Sequence, residues 1–186
     1  RLGAQILTDH NITPPAANTV FFGGGTPSLL GRQLPKILDV VRECFGIAPG
    51  AEITSEANPE STSPELFDCW RAGGVNRLSL GMQSSEPRVL ALLDRQHDPA
   101  RAVAAIEEAQ AAGFEHLNLD LIYGTPGETT DDVARSVDTV LATGVDHVSA
   151  YALTIEPGTA LFRKVAHGEI DPIDDDMQAD RYYQID

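Results

Sequence analysis

The chain has 186 residues, 42% of them apolar, which fits a single globular domain with a sizeable core. Its 28 acidic residues against 13 basic ones give a net charge of −15, which argues against binding to nucleic-acid backbones or anionic lipid surfaces. The unbroken apolar runs, such as 89–93, are too short to span a bilayer.

Strand and helix patterns alternate along the whole chain. After a short helical pattern at the start, apolar and β-branched runs predict strands at 19–22, 52–57, 76–80, 117–123 and 146–153. A helical pattern follows each strand, and an acidic connector at 171–176 interrupts the helical remainder. Five strands that each precede a helix require parallel pairing through right-handed crossovers. The pattern therefore predicts a barrel, a partial barrel or a doubly wound sheet.

The first strand ends in three glycines, Gly23, Gly24 and Gly25, followed by Thr26 and Pro27. Residues without a Cβ allow a ligand to approach the backbone closely and reach positive φ without strain. The match to a dinucleotide-binding fingerprint is poor, because a serine occupies the sixth position. The run therefore favours a small polar ligand held against backbone, with a plain strand-to-helix turn as the alternative.

Polar side chains collect where the other strands end. In parallel β/α folds the carboxyl ends of the strands form the ligand-binding face, so these side chains are expected to converge on one site for a polar cofactor. The candidate cofactor-binding residues are Gly24, Gly25, Thr26, Glu56, Gln83, Arg95, Asp120 and Thr154.

Each of these residues also has a structural interpretation. Glu56 could cap the next helix, Asp120 could be a paired core acid, and Gln83 could satisfy loop backbone groups. Arg95 is either an anchor for a ligand carboxylate or a salt-bridge partner. His97, just before a predicted helix, is the histidine worth testing among five that show no metal-ligand spacing.

Six stretches together resemble one family, the radical S-adenosylmethionine (SAM) oxygen-independent coproporphyrinogen III oxidases, and within it the haem-chaperone-like branch. They are 22–27 (FGGGTP), 56–59 (EANP), 74–84 (GVNRLSLGMQS), 94–97 (DRQH), 120–129 (DLIYGTPGET) and 149–159 (SAYALTIEPGT). The resemblance covers essentially the whole chain, and six motifs in order at natural spacing are specific.

The resemblance implies a partial (β/α)6-type parallel barrel that holds SAM and a [4Fe–4S] cluster. Gly24, Gly25 and Thr26 are implied to line the methionine end of SAM, and Arg95 to take its carboxylate. The family's pattern also places Glu56 and Gln83 on the sugar side, Asp120 in the same pocket, and Thr154 near its edge.

The departure from the family lies in the cysteines. The family holds its cluster on a C-x-x-x-C-x-x-C loop after the first strand, whereas this chain has only Cys44 and Cys69, both in predicted helices. A [4Fe–4S] cluster in this family needs three thiolates, so no tightly bound cofactor and no activity are expected of these 186 residues alone. Residues 1–186 are therefore expected to be one incomplete radical SAM core, without the first strand, its cysteine loop and the C-terminal domain.

The function implied for the parent protein is that of a haem chaperone or of an oxidase that decarboxylates porphyrin propionates. Haem or porphyrin and haem-accepting proteins are the implied partners, and we predict a cytoplasmic location. Two alternatives stay open. One is a cluster-free barrel lyase or aldolase with Glu56 and Asp120 as acid and base, although the two lysines, Lys36 and Lys164, fall in predicted helices. The other is a non-catalytic binding module.

Overall fold

A computed structural model describes residues 2–95 and 98–186 and contains one parallel sheet. Its strands are β1 (Ala17–Phe22), β2 (Ile47–Ala57), β3 (Arg77–Gln83), β4 (His116–Tyr123) and β5 (His147–Ala152). They pair in the order β1-β2-β3-β4-β5, all parallel, and the sheet curls into a half-barrel. The predicted partial parallel barrel is confirmed.

Helices precede, connect and follow the strands. They are α1 (Leu2–Asp9), α2 (Leu34–Phe45), α3 (Pro64–Gly73), α4 (Pro87–Leu92), α5 (Pro99–Ala111), α6 (Thr130–Ala142), α7 (Ala160–Ala166) and α8 (Asp175–Ile185). Two 3-10 turns, Pro27–Gln33 and Pro59–Ser61, follow β1 and β2. Within the described residues, no helix has the length and apolar character needed to cross a membrane.

Helix boundaries follow the capping residues in the sequence. The Ser63 side chain accepts the N–H of Leu66 at 3.3 Å and starts α3, and the Asp98 side chain accepts the N–H of Ala100 at 2.9 Å and starts α5. Gly46 ends α2 at φ 72°, a conformation that glycine adopts without strain. Local capping residues therefore determine where these helices begin and end.

The hydrophobic core lies between the outer face of the sheet and the helices. Alternate residues of the strands, such as Leu78, Leu80 and Leu119, face outward and pack against fully buried side chains of α2, α3 and α5. Trp70 is the largest of these, and its indole N–H donates to the Gly31 carbonyl at 2.9 Å. The core therefore sits on one side of the sheet only.

The inner face of the half-barrel is polar. The residues that alternate with the core positions point inward: Glu52, Thr54 and Glu56 on β2, Arg77, Ser79 and Gly81 on β3, Asn118 and Asp120 on β4, and His147, Ser149 and Tyr151 on β5. A strand buried on both faces usually carries apolar residues on both. The polar inner face therefore makes the concave side of the sheet the candidate ligand-binding surface.

Candidate functional site

A cavity of about 320 Å³ opens where the carboxyl ends of the strands meet. Its walls contain residues from the β1 turn, from β2 to β5 and from the segment after α4. The lining residues are Gly25, Thr26, Pro27, Glu56, Ala57, Asn58, Ser79, Gly81, Gln83, Arg95, Asp120, Ile122 and Tyr151. Six of the eight candidate residues are therefore brought together in one cavity.

The glycine turn after β1 forms one wall. Gly24 and Gly25 have φ values of 82° and 59°, in the left-handed region that favours glycine. A Cβ built on either residue meets no atom within 4 Å, so both α-carbons face open space. The Gly24 N–H also donates to Glu56 Oε2 at 3.2 Å. The turn therefore forms a cradle of exposed backbone that leaves room for a ligand to approach closely.

Glu56 is the penultimate residue of β2 and is not a helix cap. The turn after it is capped by Asn58, whose side chain accepts the N–H of Glu60 at 3.1 Å. At Gly23 a Cβ would lie 3.0 Å from Glu56 Oε1 and 2.5 Å from the Phe21 ring. The missing side chain at Gly23 therefore leaves room for the Glu56 carboxylate beside the glycine turn.

Gln83 reaches the cavity from an unusual backbone conformation. Its φ is 69°, and the pairing of β3 with β4 shifts register between Gly81 and Gln83. Positive φ is uncommon for residues other than glycine and often marks strain at a functional position. The carboxamide folds over Gly81, with Nε2 2.6 Å from the point where a Cβ would stand.

Asp120 lies at the centre of the inner face with uncharged hydrogen-bond partners. Ser79 Oγ donates to Oδ1 and Oδ2, each at 3.1 Å, and Asn118 Nδ2 donates to Oδ1 at 2.7 Å. Burial raises the pKa of Asp120 above its ordinary value, the hydrogen bonds from Asn118, Ser79 and Ser149 oppose that shift, and the nearby Glu56 charge adds to it. Within residues 2–95 and 98–186 no basic side chain forms a hydrogen bond or ion pair with Asp120. It is therefore not a paired core acid.

Charges of both signs face this cavity. Glu56 and Asp120 supply carboxylates from β2 and β4, and the exposed Arg95 supplies a guanidinium from the segment after α4. An arginine fork suits a carboxylate, whereas carboxylates accept hydrogen bonds from ammonium and hydroxyl groups. The cavity therefore suits a polar ligand that carries a carboxylate together with ammonium or hydroxyl groups.

Thr154 does not lie in this cavity. It lines a neighbouring cleft of about 380 Å³ between α4 and the segment that follows β5, together with Leu92, Asp94 and Lys164. His97 lies outside the described residues. Lys164 lies in α7 and Lys36 in α2, so neither lysine is at a strand end, where a lyase or aldolase would need one.

The cysteines are placed apart from the cavity as well. Cys44 and Cys69 lie in α2 and α3 on the outer side of the sheet, half-buried and free. The described part of the chain holds no group of three or more histidine, cysteine, aspartate or glutamate residues able to bind a metal ion. The residues present do not fit an iron–sulfur cluster.

Three uncharged residues around Asp120, namely Ser79, Asn118 and Ser149, were not among the predicted cofactor-binding residues. Their signal was the alternation of polar and apolar residues in β3, β4 and β5, which places them on the inner face. Only the register of the strands shows that Ser79 and Asn118 meet at the Asp120 carboxylate and that Ser149 bonds Asn118.

Comparison with known proteins identifies the family of this fold. Residues 7–140, more than half of the chain, match the profile of the Radical SAM superfamily. The chain belongs to the radical SAM superfamily. The resemblance found in the sequence is thereby confirmed.

Individual relatives of this radical SAM chain point to haem-related proteins. It is 61% identical over 181 residues to the heme chaperone HemW of Mycobacterium tuberculosis, covering 97% of this chain and 46% of that protein. It is 34% identical over 172 residues to HemW of Bacillus subtilis, covering 90% of this chain and 45% of that protein. The solved structure of Escherichia coli coproporphyrinogen III oxidase HemN superposes with a TM-score of 0.79 at 30% identity, over 90% of this chain and 38% of that one. The chain thus spans less than half the length of these relatives.

Proposed function

We propose that this chain is the SAM-binding core of a haem chaperone. The observation that carries the proposal is the cavity at the strand ends, where a glycine cradle, two carboxylates and an arginine converge. The 61% identity to a mycobacterial heme chaperone supports the haem-related function. In the oxidase alternative, which rests on the likeness to HemN, the same cavity would serve the same cofactor.

The residues present fit the polar groups of the methionine and ribose parts of SAM. The methionine part is a zwitterion, which Arg95 can hold at its carboxylate and Asp120 or Glu56 at its ammonium group. The ribose hydroxyls are donors that suit the remaining carboxylate and the Gln83 carboxamide. Gly24, Gly25 and Thr26 provide the backbone surface against the methionine end. In radical SAM proteins the bound cofactor supplies the radical chemistry, and these side chains bind and orient it.

The iron–sulfur cluster is not assigned to residues of this chain, because Cys44 and Cys69 do not fit it. We propose that the cluster ligands, a C-terminal domain and the haem-binding groups belong to the parts of the whole protein outside these 186 residues. Haem is the proposed ligand of that protein, haem-accepting proteins are its proposed partners, and its cytoplasmic location stays a prediction.

The proposal is tested by SAM binding to the full-length protein at pH 7.5, measured by equilibrium dialysis. Glu56→Gln and Asp120→Asn keep the volume of the side chain and remove its charge. Loss of a charged hydrogen bond costs about 1.5–3 kcal/mol, so each variant should weaken binding about ten- to a hundredfold. Glu52→Gln is the matched control, because Glu52 lies on the same face of β2 but does not line the cavity.

Thermal unfolding separates a binding role from a structural one. The pKa of Asp120 is higher in the folded state than in the unfolded state. Its stabilising contribution to the free energy of unfolding is therefore present below the unfolded-state pKa and is lost as pH rises through the folded-state pKa. At pH 7.5 Asp120→Asn should therefore melt no lower than the wild type. A lower melting temperature with unchanged SAM affinity would assign Asp120 to the scaffold and overturn the proposal.

A further inference from the structure

Three uncharged side chains from adjacent strands form a continuous hydrogen-bond chain that ends on Asp120. Ser149 Oγ on β5 donates to Asn118 Oδ1 at 3.2 Å, and Asn118 Nδ2 donates to both Asp120 Oδ1 and Ser79 Oγ at 2.7 Å. Ser79 Oγ on β3 completes the chain by donating to the same carboxylate at 3.1 Å. All of these atoms lie on the inner face of the half-barrel.

Asn118 is the centre of this chain, and its amide orientation is determined by its neighbours. The residue is only 3% exposed. Its oxygen accepts from one serine while its amino group donates to the other serine and to the carboxylate. A flipped amide would turn its oxygen toward the Asp120 carboxylate, which cannot donate when ionised, and would lose that bond. Buried polar networks of this kind hold side chains in single orientations.

The arrangement leaves part of the carboxylate available to a ligand. Each carboxylate oxygen can accept about two hydrogen bonds. Oδ1 receives Ser79 and Asn118, whereas Oδ2 receives Ser79 alone. The carboxylate can therefore still accept a hydrogen bond from an ammonium or hydroxyl group in the cavity. Its orientation is fixed by Ser79 and Asn118.

The same donors counteract an unfavourable environment for charge. Desolvation and the Glu56 charge both raise the pKa of Asp120, and the three hydrogen-bonding side chains lower it. Among the described residues, the other ionisable groups on the inner face and in the cavity are Glu52 on β2, Arg77 on β3, His147 and Tyr151 on β5, and Arg95 after α4. Arg77 lies 3.8 Å from Glu52, and no hydrogen bond or ion pair joins it to Asp120 in the described part of the chain. The neutral network is therefore the direct support of the carboxylate.

We propose that Asn118 is a positioning residue of the cofactor site, which acts with Ser79 and Ser149 to hold the Asp120 carboxylate ionised and aimed into the cavity. The proposal rests on the proposed function, because it assigns Asp120 a ligand to receive. It adds Asn118 and Ser149, which do not line the cavity, and Ser79, which lines the cavity and also donates to Asp120.

The test measures SAM affinity of the full-length protein between pH 6 and pH 9 for Asn118→Leu and Ser79→Ala. Removing donors to the carboxylate favours its protonated form, so the acid limb of the binding profile should move to higher pH in both variants. We expect affinity to fall about tenfold at the acid end of this range in Asn118→Leu, less in Ser79→Ala, and by less than about threefold at pH 9. Thr54→Val is the matched control, since it removes one inner-face hydroxyl that bonds Glu52 rather than Asp120, and its profile should follow the wild type.

Asp120→Asn separates this inference from the function on which it rests. If the wild type fails to bind SAM, or Asp120→Asn binds it as well as the wild type, the proposed function is wrong. If Asp120→Asn weakens binding while the profiles of Asn118→Leu and Ser79→Ala superpose on the wild type, the positioning role is wrong. Should Asn118→Leu fail to fold, the pH shift of Ser79→Ala decides, because loss of a direct ligand contact would lower affinity equally at every pH.

Discussion

Gln83 shows how a single residue connects backbone strain to the cavity. Its φ of 69° places it among three non-glycine residues with positive φ in the described chain, together with Asn11 and Asp94. A left-handed conformation costs an L-residue roughly 1–2 kcal/mol, which the surrounding structure must offset. Here the strain coincides with the register shift that turns the carboxamide over Gly81 and into the cavity.

Gly81→Ala tests this arrangement at the level of one methyl group. The Gly81 backbone is compatible with alanine, but the new Cβ would stand 2.6 Å from Gln83 Nε2, so the carboxamide must move away. We expect unchanged or slightly higher thermal stability, by up to about 1 kcal/mol from reduced unfolded-state entropy. SAM affinity of the full-length protein should fall about five- to tenfold, the cost of one lost hydrogen bond.

A double-mutant cycle supplies the control for Gly81→Ala. If the methyl group acts only through the carboxamide, Gly81→Ala combined with Gln83→Ala should bind SAM no more weakly than Gln83→Ala alone. Additive losses would instead mean that Gly81 itself contacts the ligand, and Gln83 would then have no special part in the effect.

At the scale of residues, the sequence predicted most residues that line the cavity, but not the side chains that hydrogen-bond to Asp120. Gly25, Thr26, Glu56, Gln83 and Asp120 could be placed together because the carboxyl ends of parallel strands share one edge of the sheet. Thr154 instead lines the neighbouring cleft. Its position could not be predicted, because no periodic pattern indicates the direction of the chain after β5. Asn118 and its serine partners needed the register between three strands, which a single sequence does not fix.

At the scale of elements, the turn between β4 and α6 is held by a buried acid. Glu128 is 4% exposed, and its Oε2 accepts the N–H of Gly124 at 2.7 Å and of Thr125 at 3.3 Å. Arg181 of α8, also buried, donates to Thr130 Oγ1 at 2.7 Å and to the Glu128 carbonyl at 3.4 Å. The C-terminal helix is thereby attached to the loop that follows the Asp120 strand.

Glu128→Ala and Glu128→Gln should differ sharply in stability. Alanine leaves two buried N–H groups without an acceptor, which costs about 2–4 kcal/mol, whereas glutamine keeps an oxygen for both. Burial raises the pKa of Glu128, so its contribution is present below the unfolded pKa and is lost as pH rises through the folded pKa. Urea unfolding of the full-length protein at pH 5 and pH 7 should therefore find Glu128→Gln at least as stable as the wild type at pH 7.

Glu107→Ala is the control, because it removes an exposed glutamate from α5. Equal stability of Glu128→Ala and Glu107→Ala would contradict the role of the acid in holding the turn.

The sequence did not reveal that Glu128 and Arg181 contact each other, since 53 positions separate them. Local caps indicate where helices begin and end. Strand β2, in contrast, begins five residues earlier than predicted. Pro49 and Gly50 resemble a turn in the sequence, but the strand continues through them, with a bulge in its pairing opposite residues 17–19.

At the scale of the whole molecule, the half-barrel separates a structural side from a chemical side. The apolar core lies outside the sheet, and the inner face carries polar and charged residues from four strands. Cys44 and Cys69 belong to helices of the structural side. Any group that needs thiolate ligands on the inner face must therefore obtain them from residues other than these two.

The last prediction follows from this placement. A [4Fe–4S] cluster that leaves one iron open for SAM needs three thiolates, and the 186 residues contain two, both on outer helices. We expect the 186-residue polypeptide, treated anaerobically with iron and sulfide, to retain no cluster after desalting, whereas the full-length protein treated in parallel retains one. Visible absorption and iron analysis measure the outcome, with a Cys44→Ala, Cys69→Ala double variant as the control for loosely bound iron. A stoichiometric cluster on the polypeptide that the double variant loses would show that the two helices supply ligands after all.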